Sequence, residues 1–367
     1  MSMLLAAIKA DLANAASSDQ VAIARTRLAI YFARRGDFDS ARLEVANLRA
    51  LGERFHRAEC TVRANLAEGM LAFCEGQHQF ALDKLRRARA LAEAASLAQL
   101  ICWSRALLAH VEWNLGDTTT IAGHAKYVLD SASADDHWVL AKIASTVGVV
   151  LHTCDRFDLA RPWYEFARRH AVAEGDDMTL DALMHNVASM RLNNLRLDEI
   201  KGIRDGVEIR RFQQELESSL NYDLLKSPAS FRWAIELLRA QNSLLAGNVQ
   251  VARSAYERWL AFYSADAPSR LQCVARADYA FCLAAVHESA GASEQVQLAL
   301  GPHPADIAQD ELALINFRVS QVAELEGDSD VSSRSRAAAT AFLQRHIAEQ
   351  LTCAADFESI QLPQAQR

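Results

Sequence analysis

The sequence predicts an all-α protein, an α-solenoid of stacked antiparallel helix pairs. Three observations carry that expectation. Glycine (14) and proline (6) are scarce in a chain of 367 residues, so turns are few and the connected elements long. Hydrophobic residues make up 51% and charged residues 23%, and the apolar ones return every three to four positions, the helical period. The third observation is an internal repeat, and a period of this length signals a stacked array.

The repeat is visible in "LAIYFARRGDFDSARLEVANL" (28–48) laid without a gap over "VGVVLHTCDRFDLARPWYEFA" (147–167). Ala29 falls on Gly148, Gly36 on Asp155, Phe38 on Phe157 and Ala41 on Ala160. Residues 68–88 and 108–128 are further copies, so the breaks Gly36, Gly76, Gly116 and Asp155 stand 40, 40 and 39 residues apart. A weaker copy at 187–200 places its turn near Leu195, and later breaks are expected at Gly247, Gly291 and Gly327. Each copy reads as helix, tight turn, helix. Glycine or aspartate tolerates the left-handed residue that ends the first helix. The small residue seven before the break (Ala29, Gly69, Gly148) and the alanine five after it (Ala41, Ala81, Ala160) sit where two helices must nearly touch. Pro162 lies just beyond a first turn, where a missing N–H costs little.

Taken along the chain, residues 2–15 predict a helix capping the first pair, and 18–195 five regular pairs. Residues 197–222 predict one long second helix, followed by a loop at 223–230 whose Pro228 marks a hinge. A second, more divergent array then runs to about residue 350, interrupted at 301–306, with "DSDVSS" (328–333) capping its last helix. The expected organisation is an N-terminal array over 1–196, a C-terminal array over 197–350 and a flexible tail over 351–367.

The pattern of Gly36-Asp37-Phe38 with Ala41, and of Gly148, Phe157, Ala160, Tyr164 and Ala167, resembles the tetratricopeptide repeat family, in a variant whose helices are about a turn longer than usual. The resemblance covers about 20–350, most closely 20–170. It implies a right-handed superhelix whose first helices line a concave groove. Long-helix members serve in bacterial signal sensing and in eukaryotic adaptors, and the shared residues are structural, so fold follows and function does not.

Composition narrows the function. A net charge of −7 disfavours general nucleic-acid binding, which needs a basic face. No apolar run of about 18 residues is present, so no membrane insertion is expected. The start, "MSMLLAAIKADLANAA", has no basic residue ahead of its apolar patch and reads as an amphipathic helix, not a secretory signal. Seven scattered cysteines without a CxxC pattern read as reduced buried thiols, and the expected compartment is the cytoplasm. No phosphate loop, dinucleotide fingerprint, nucleophile elbow or zinc-helix motif occurs, and the histidines lack metal-ligand spacing. The expectation is therefore a non-enzymatic protein with no cofactor and no metal.

The groove is the expected site. Its first-helix face carries Arg34, Arg63, Met70, Phe73, Trp103, His110, Trp113, Asn114, Lys142, His152, His185 and Asn193. Trp and Arg are the residue types that dominate binding energy. Trp103 and Trp113 read equally as filler between neighbouring pairs, and His110, His152 and His185 as structural histidines. Arg34, Arg63 and Asn114 offer only part of the set with which relatives clamp a peptide C-terminus. The expected function is a scaffold or adaptor binding another protein or peptide. The alternative is a ligand-responsive signalling regulator acting on a partner in trans.

Overall fold

The computed structural model describes residues 2–214, 216, 232–304, 307–358 and 360–362. Every regular element among them is helical. The chain divides into two compact units, one running to Leu183 and including the residues from Cys353, the other from Met184 to Thr352. This differs from the boundary expected at 196/197.

In the first unit, α1 (Met3–Ala13) precedes four pairs: α2 (Ser18–Arg34) with α3 (Phe38–Phe55), α4 (Ala58–Cys74) with α5 (His78–Ala94), α6 (Ala98–Asn114) with α7 (Ile121–Ser131), and α8 (His137–Thr153) with α9 (Phe157–Glu174). The first helix of each pair has 17 residues. Each packs on its own partner, and α2, α4 and α6 pack also on the first helix of the next pair. Helix α2 starts at a capping box, Ser17 accepting from the Gln20 N–H and Gln20 reaching back.

The turn predicted at Gly36, Gly76, Gly116 and Asp155 is present at all four, with φ of +77°, +77°, +78° and +56°. The N–H of the following residue (Asp37, Gln77, Asp117, Arg156) donates to the carbonyl five back at 2.8–3.0 Å. That bond closes each first helix as a Schellman motif. Seven residues earlier, Ala29 and Ala109 are fully buried. At the same position, a Cβ on Gly69 would meet Leu85 at 2.8 Å and one on Gly148 would meet Tyr164 at 2.9 Å. Five residues after the turn, Ala41, Ala81 and Ala160 are fully buried. The third pair departs from the pattern. Asp117 Oδ1 holds the N–H and hydroxyl of Thr119, so α7 begins only at Ile121 and has 11 residues. Pro162 is the sixth residue of α9, past the first turn, and the helix continues through it.

The ends of the four pairs meet. Arg27 pairs with Glu174 and Asp11, and Arg34 with Asp176 at 2.7 Å. Met178 packs with Leu4, Ile8, Leu28 and Tyr31 under α1.

Helix α10 (Asp177–Ile200), which begins in the first unit, passes straight through the turn expected near Leu195 and is followed by Gly202, φ +77°. Its 24 residues exceed the usual 17 by seven, two helical turns, which return the chain to nearly the same face. The single long helix expected over 197–222 is therefore interrupted, and α11 starts at 206 and is described to 214. The hinge expected at 223–230 lies outside the described residues.

Helices α12 (Arg232–Leu245) and α13 (Val249–Phe262) flank Gly247 as expected, and α14 (Ser269–Ala285) and α15 (Ser289–Ala299) follow. Their turn is at His287, φ +64°, not at Gly291, which lies inside α15. An imidazole in the left-handed region had hidden it behind a nearby glycine. With that correction the breaks Gly247, His287 and Gly327 are again 40 apart. The small position seven before them then holds Ala240, Ala280 and Ser320, all fully buried.

Helix α16 (Gln309–Glu326) leads to α17 (Ser329–Glu358), whose start is capped by Asp328 Oδ1 on the Val331 N–H at 3.0 Å. The expectation of a flexible tail from 351 is corrected. Residues 351–358 are the last turns of α17, and Ala354 and Phe357 are buried. Cys353 lies beside Cys154, whose hydrogen bond draws the Cys353 thiol below its ordinary value. These apolar side chains are too few to produce a visible period, yet two suffice to dock a turn of helix.

Candidate functional site

Four consecutive first helices of the first unit bring side chains to one place. Arg34 and Cys74 are last-turn residues of α2 and α4, His110 lies in α6 and Lys142 in α8. Residues of the connection into α10 complete the set. Arg34 Nη1 donates to Asp176 Oδ2 at 2.7 Å, and Nη2 to Thr179 Oγ1 at 2.9 Å. Thr179 donates its hydroxyl to Oδ2 of Asp176 (2.7 Å) and its N–H to Oδ1 (3.1 Å). Phe73 meets the His110 ring edge-on, centroids 5.1 Å apart.

Burial sets the electrostatics here. It pushes the Lys142 amine down to about 8, with the Arg34 charge acting in the same direction. It holds His110 well below the ordinary histidine value, with Lys142 and Arg34 adding to the effect. It raises the Cys74 thiol to about 11. Burial works to raise Asp176 too, but the Arg34 guanidinium and the Thr179 hydrogen bonds outweigh it and keep that carboxyl below its usual value. His110 is half-buried.

The other residues expected in the groove divide between half-buried and core positions. Trp113 and Asn114 are half-buried beside His110, the Asn114 amide donating to the His110 carbonyl at 2.8 Å. Arg63 is buried and held by Glu59 on its own helix at 2.8 and 3.0 Å. Met70 is core. Trp103 is buried, stacked on Trp138 with centroids 4.6 Å apart, and donates its indole N–H to Asp136 at 3.1 Å. His152 is buried against Phe157 and Tyr164, its Nδ1 3.3 Å from the Tyr164 hydroxyl. His185 and Asn193 belong to the second unit. Burial takes His185 to about 4, and Asn193 donates to Asp310 at 2.9 Å.

The second unit holds a charged core that the sequence reading missed. Asp278, fully buried, accepts from Arg196 (2.6 Å), Tyr256 (2.8 Å) and Arg318 (2.9 Å). Arg318 also reaches Glu199 at 3.2 Å and lies over the rings of Phe281 and Phe317. Asp278 and Arg318 each stand nine residues before a turn, a signal concealed while the break was placed at Gly291. Two cations and two anions leave this core neutral, as befits a structural role.

Elsewhere, a crevice of about 250 Å³ between α3, α4 and α5 is lined by Arg42, Arg49, Glu68 and Glu75. Those charges pair among themselves, Arg42 with Glu75 and Arg49 with Glu68. Among the described residues no three His, Cys, Asp or Glu side chains are grouped to hold a metal ion. All seven cysteines are free, and no described helix is long and apolar enough to cross a membrane. No protein-family model matches the chain, and no curated protein matches it.

Proposed function

We propose that this is a tetratricopeptide-like repeat protein that acts by binding another protein or a peptide on the shared inner face of its first helices. One observation carries the reading. Arg34, Cys74, His110 and Lys142, from α2, α4, α6 and α8 and each 32 to 40 residues from the last, act electrostatically on one another. A face assembled in that way is held by the stack before any partner arrives, so binding costs mainly the ordering of the partner. Phe73 and Trp113 supply half-buried aromatic anchors on it and Arg34 a half-buried guanidinium, the residue types that concentrate binding energy.

The test begins with affinity purification of the intact chain from its native cell and isolation of the captured partner. Its affinity is then measured against Trp113→Ala and against Arg87→Ala, a control exposed on α5. Trp113→Ala should weaken binding by about 1–3 kcal/mol with helicity unchanged, and Arg87→Ala should not. Binding by Trp113→Ala within about twofold of wild type rejects the assignment of this face.

A further inference from the structure

His137 is the first residue of α8, and His170 lies one turn before the end of α9. Their Nδ1 atoms are 2.9 Å apart. The ring centroids, 5.1 Å apart, are separated by little more than that bond and the two ring radii, so the nitrogens point at each other head-on. A metal ion on that line would hold them about 4 Å apart; what fits between them is a proton. One nitrogen must then donate and the other accept. A neutral pair meets that demand, and a pair carrying one extra proton meets it with a stronger, charge-assisted bond. A second extra proton sets two N–H groups face to face, and the bond is lost. The surroundings do not offset the added charge. Burial, the His137 charge and Arg169 hold His170 below the ordinary histidine value. Glu174 is taken by Arg27 of α2, and Asp136 by Trp103 and Gln99 of α6 at 3.1 and 3.3 Å. Helix α8 packs on α6, α7 and α9, and the charges of α6 and α7 pair elsewhere: Arg105 with Glu93, His124 with Glu112 and Lys126 with Asp130.

We propose that His137 and His170 form a proton-operated latch that fastens the open end of the α8–α9 pair and releases it on acidification. The other end of the pair is closed by the turn at Asp155. Past the latch, the last turn of α9 carries Glu174, bound to Arg27, and leads to Asp176, bound to Arg34. Opening therefore loosens the end of α9, while the contact of Tyr164 with Gly148, nearer the turn, stays packed. The folded value of His170 lies below the unfolded one near 6.5, so across that interval the unfolded chain binds more protons. The stabilisation is complete above about 6.5 and is lost as pH falls. The inference does not depend on what binds the inner face.

The full-length chain has 11 histidines, and nitrogen-15 labelling of their rings makes each tautomer and titration readable by NMR once single substitutions have assigned them. In mildly alkaline solution one ring of the pair should carry its proton on Nδ1 and the other on Nε2. On acidification the pair should titrate in two steps. In His137→Leu, His170 should show one step, about one unit or more above the lower step of the pair, and His170→Leu should abolish the two-step pattern in the same way. Amide exchange, corrected for its intrinsic pH dependence, gives the second readout. Between pH 7 and pH 4.5, residues 171–174 of wild type should speed up about tenfold or more relative to 148–152. Both leucine variants should exchange fast at 171–174 throughout. Zinc ion added alone should leave both rings unshifted. Nε2–H tautomers on both rings, a His170 midpoint indifferent to His137→Leu, or the same exchange profile in wild type and both variants overturns the proposal. Zinc shifting the two rings together also overturns it, and makes the pair a metal site instead.

Discussion

The ring of Tyr164 lies against the backbone of Gly148, so near that a methyl group on Gly148 would stand 2.9 Å from Cδ1 and Cε1. Trp163 closes the same space at 3.4 Å. This contact sets how closely α8 and α9 approach. In an unconstrained helix, Gly→Ala gains about 1 kcal/mol. Here Gly148→Ala should instead lose about 1–3 kcal/mol through overpacking, and adding Tyr164→Leu should recover part of the loss. Urea unfolding measures both. A single variant as stable as wild type means the ring is not where the structure places it.

The turn at His287 supplies a second test, because its φ of +64° is a conformation that costs a side chain about 1–2 kcal/mol. Glycine escapes that cost but loses about 0.5–1 kcal/mol in chain entropy. His287→Gly should therefore leave stability equal or up to about 1 kcal/mol higher, and His287→Val should lower it. Were both variants to melt alike, the turn would have to be moved.

Asp278 neutralises two buried guanidiniums, Arg196 and Arg318. Asp278→Asn leaves them facing each other and should cost about 3–5 kcal/mol. Replacing all four charges, Asp278, Glu199, Arg196 and Arg318, together by apolar residues should cost much less, because no uncompensated charge remains. Equilibrium unfolding of the single and fourfold variants decides. A fourfold variant that loses as much as the single one shows that geometry, not charge, is what the network supplies.

Lys142 links stability to pH. Its folded value, about 8, lies below the unfolded one near 10.4, so between those values the unfolded chain binds more protons. Stability then rises with pH across that window and is lowest below about 8, where the buried charge is complete. Lys142→Met should flatten the rise and add up to about 3 kcal/mol at neutral pH. Parallel curves of melting temperature against pH for the two proteins contradict it. His185 acts at the acid end: with its folded value near 4, stability should fall as pH drops from about 6.5 towards 4, and His185→Gln should reduce that fall.

Much of this architecture is written in short windows of sequence. The apolar rhythm, the left-handed residue at Gly36, Gly76 and Gly116, and the small residues at Ala29 and Ala160 act within one helix pair, and each is recognisable from its own neighbours. Misplacements arose where a local rule had a second solution. His287 adopts a conformation usually left to glycine, and α10 absorbs two extra turns without changing its face, which carried it through Leu195. The candidate site was legible in part. Arg34, His110 and Lys142, named among the expected groove residues, act on one another electrostatically, but nothing in their own segments distinguishes them from Arg63, which Glu59 holds, or from Trp103, which stacks on Trp138.

The amino-acid sequence by itself determined that the chain is helical, that its pairs recur about every forty residues and where most of them turn, because periodicity and turn conformation are short-range properties. Only the tertiary structure decided that Arg34 meets Asp176 across 142 residues and that Asp278 gathers three partners from three other helices. Such meetings depend on small rotations between successive pairs, added up along the stack, and no local window of residues contains that sum.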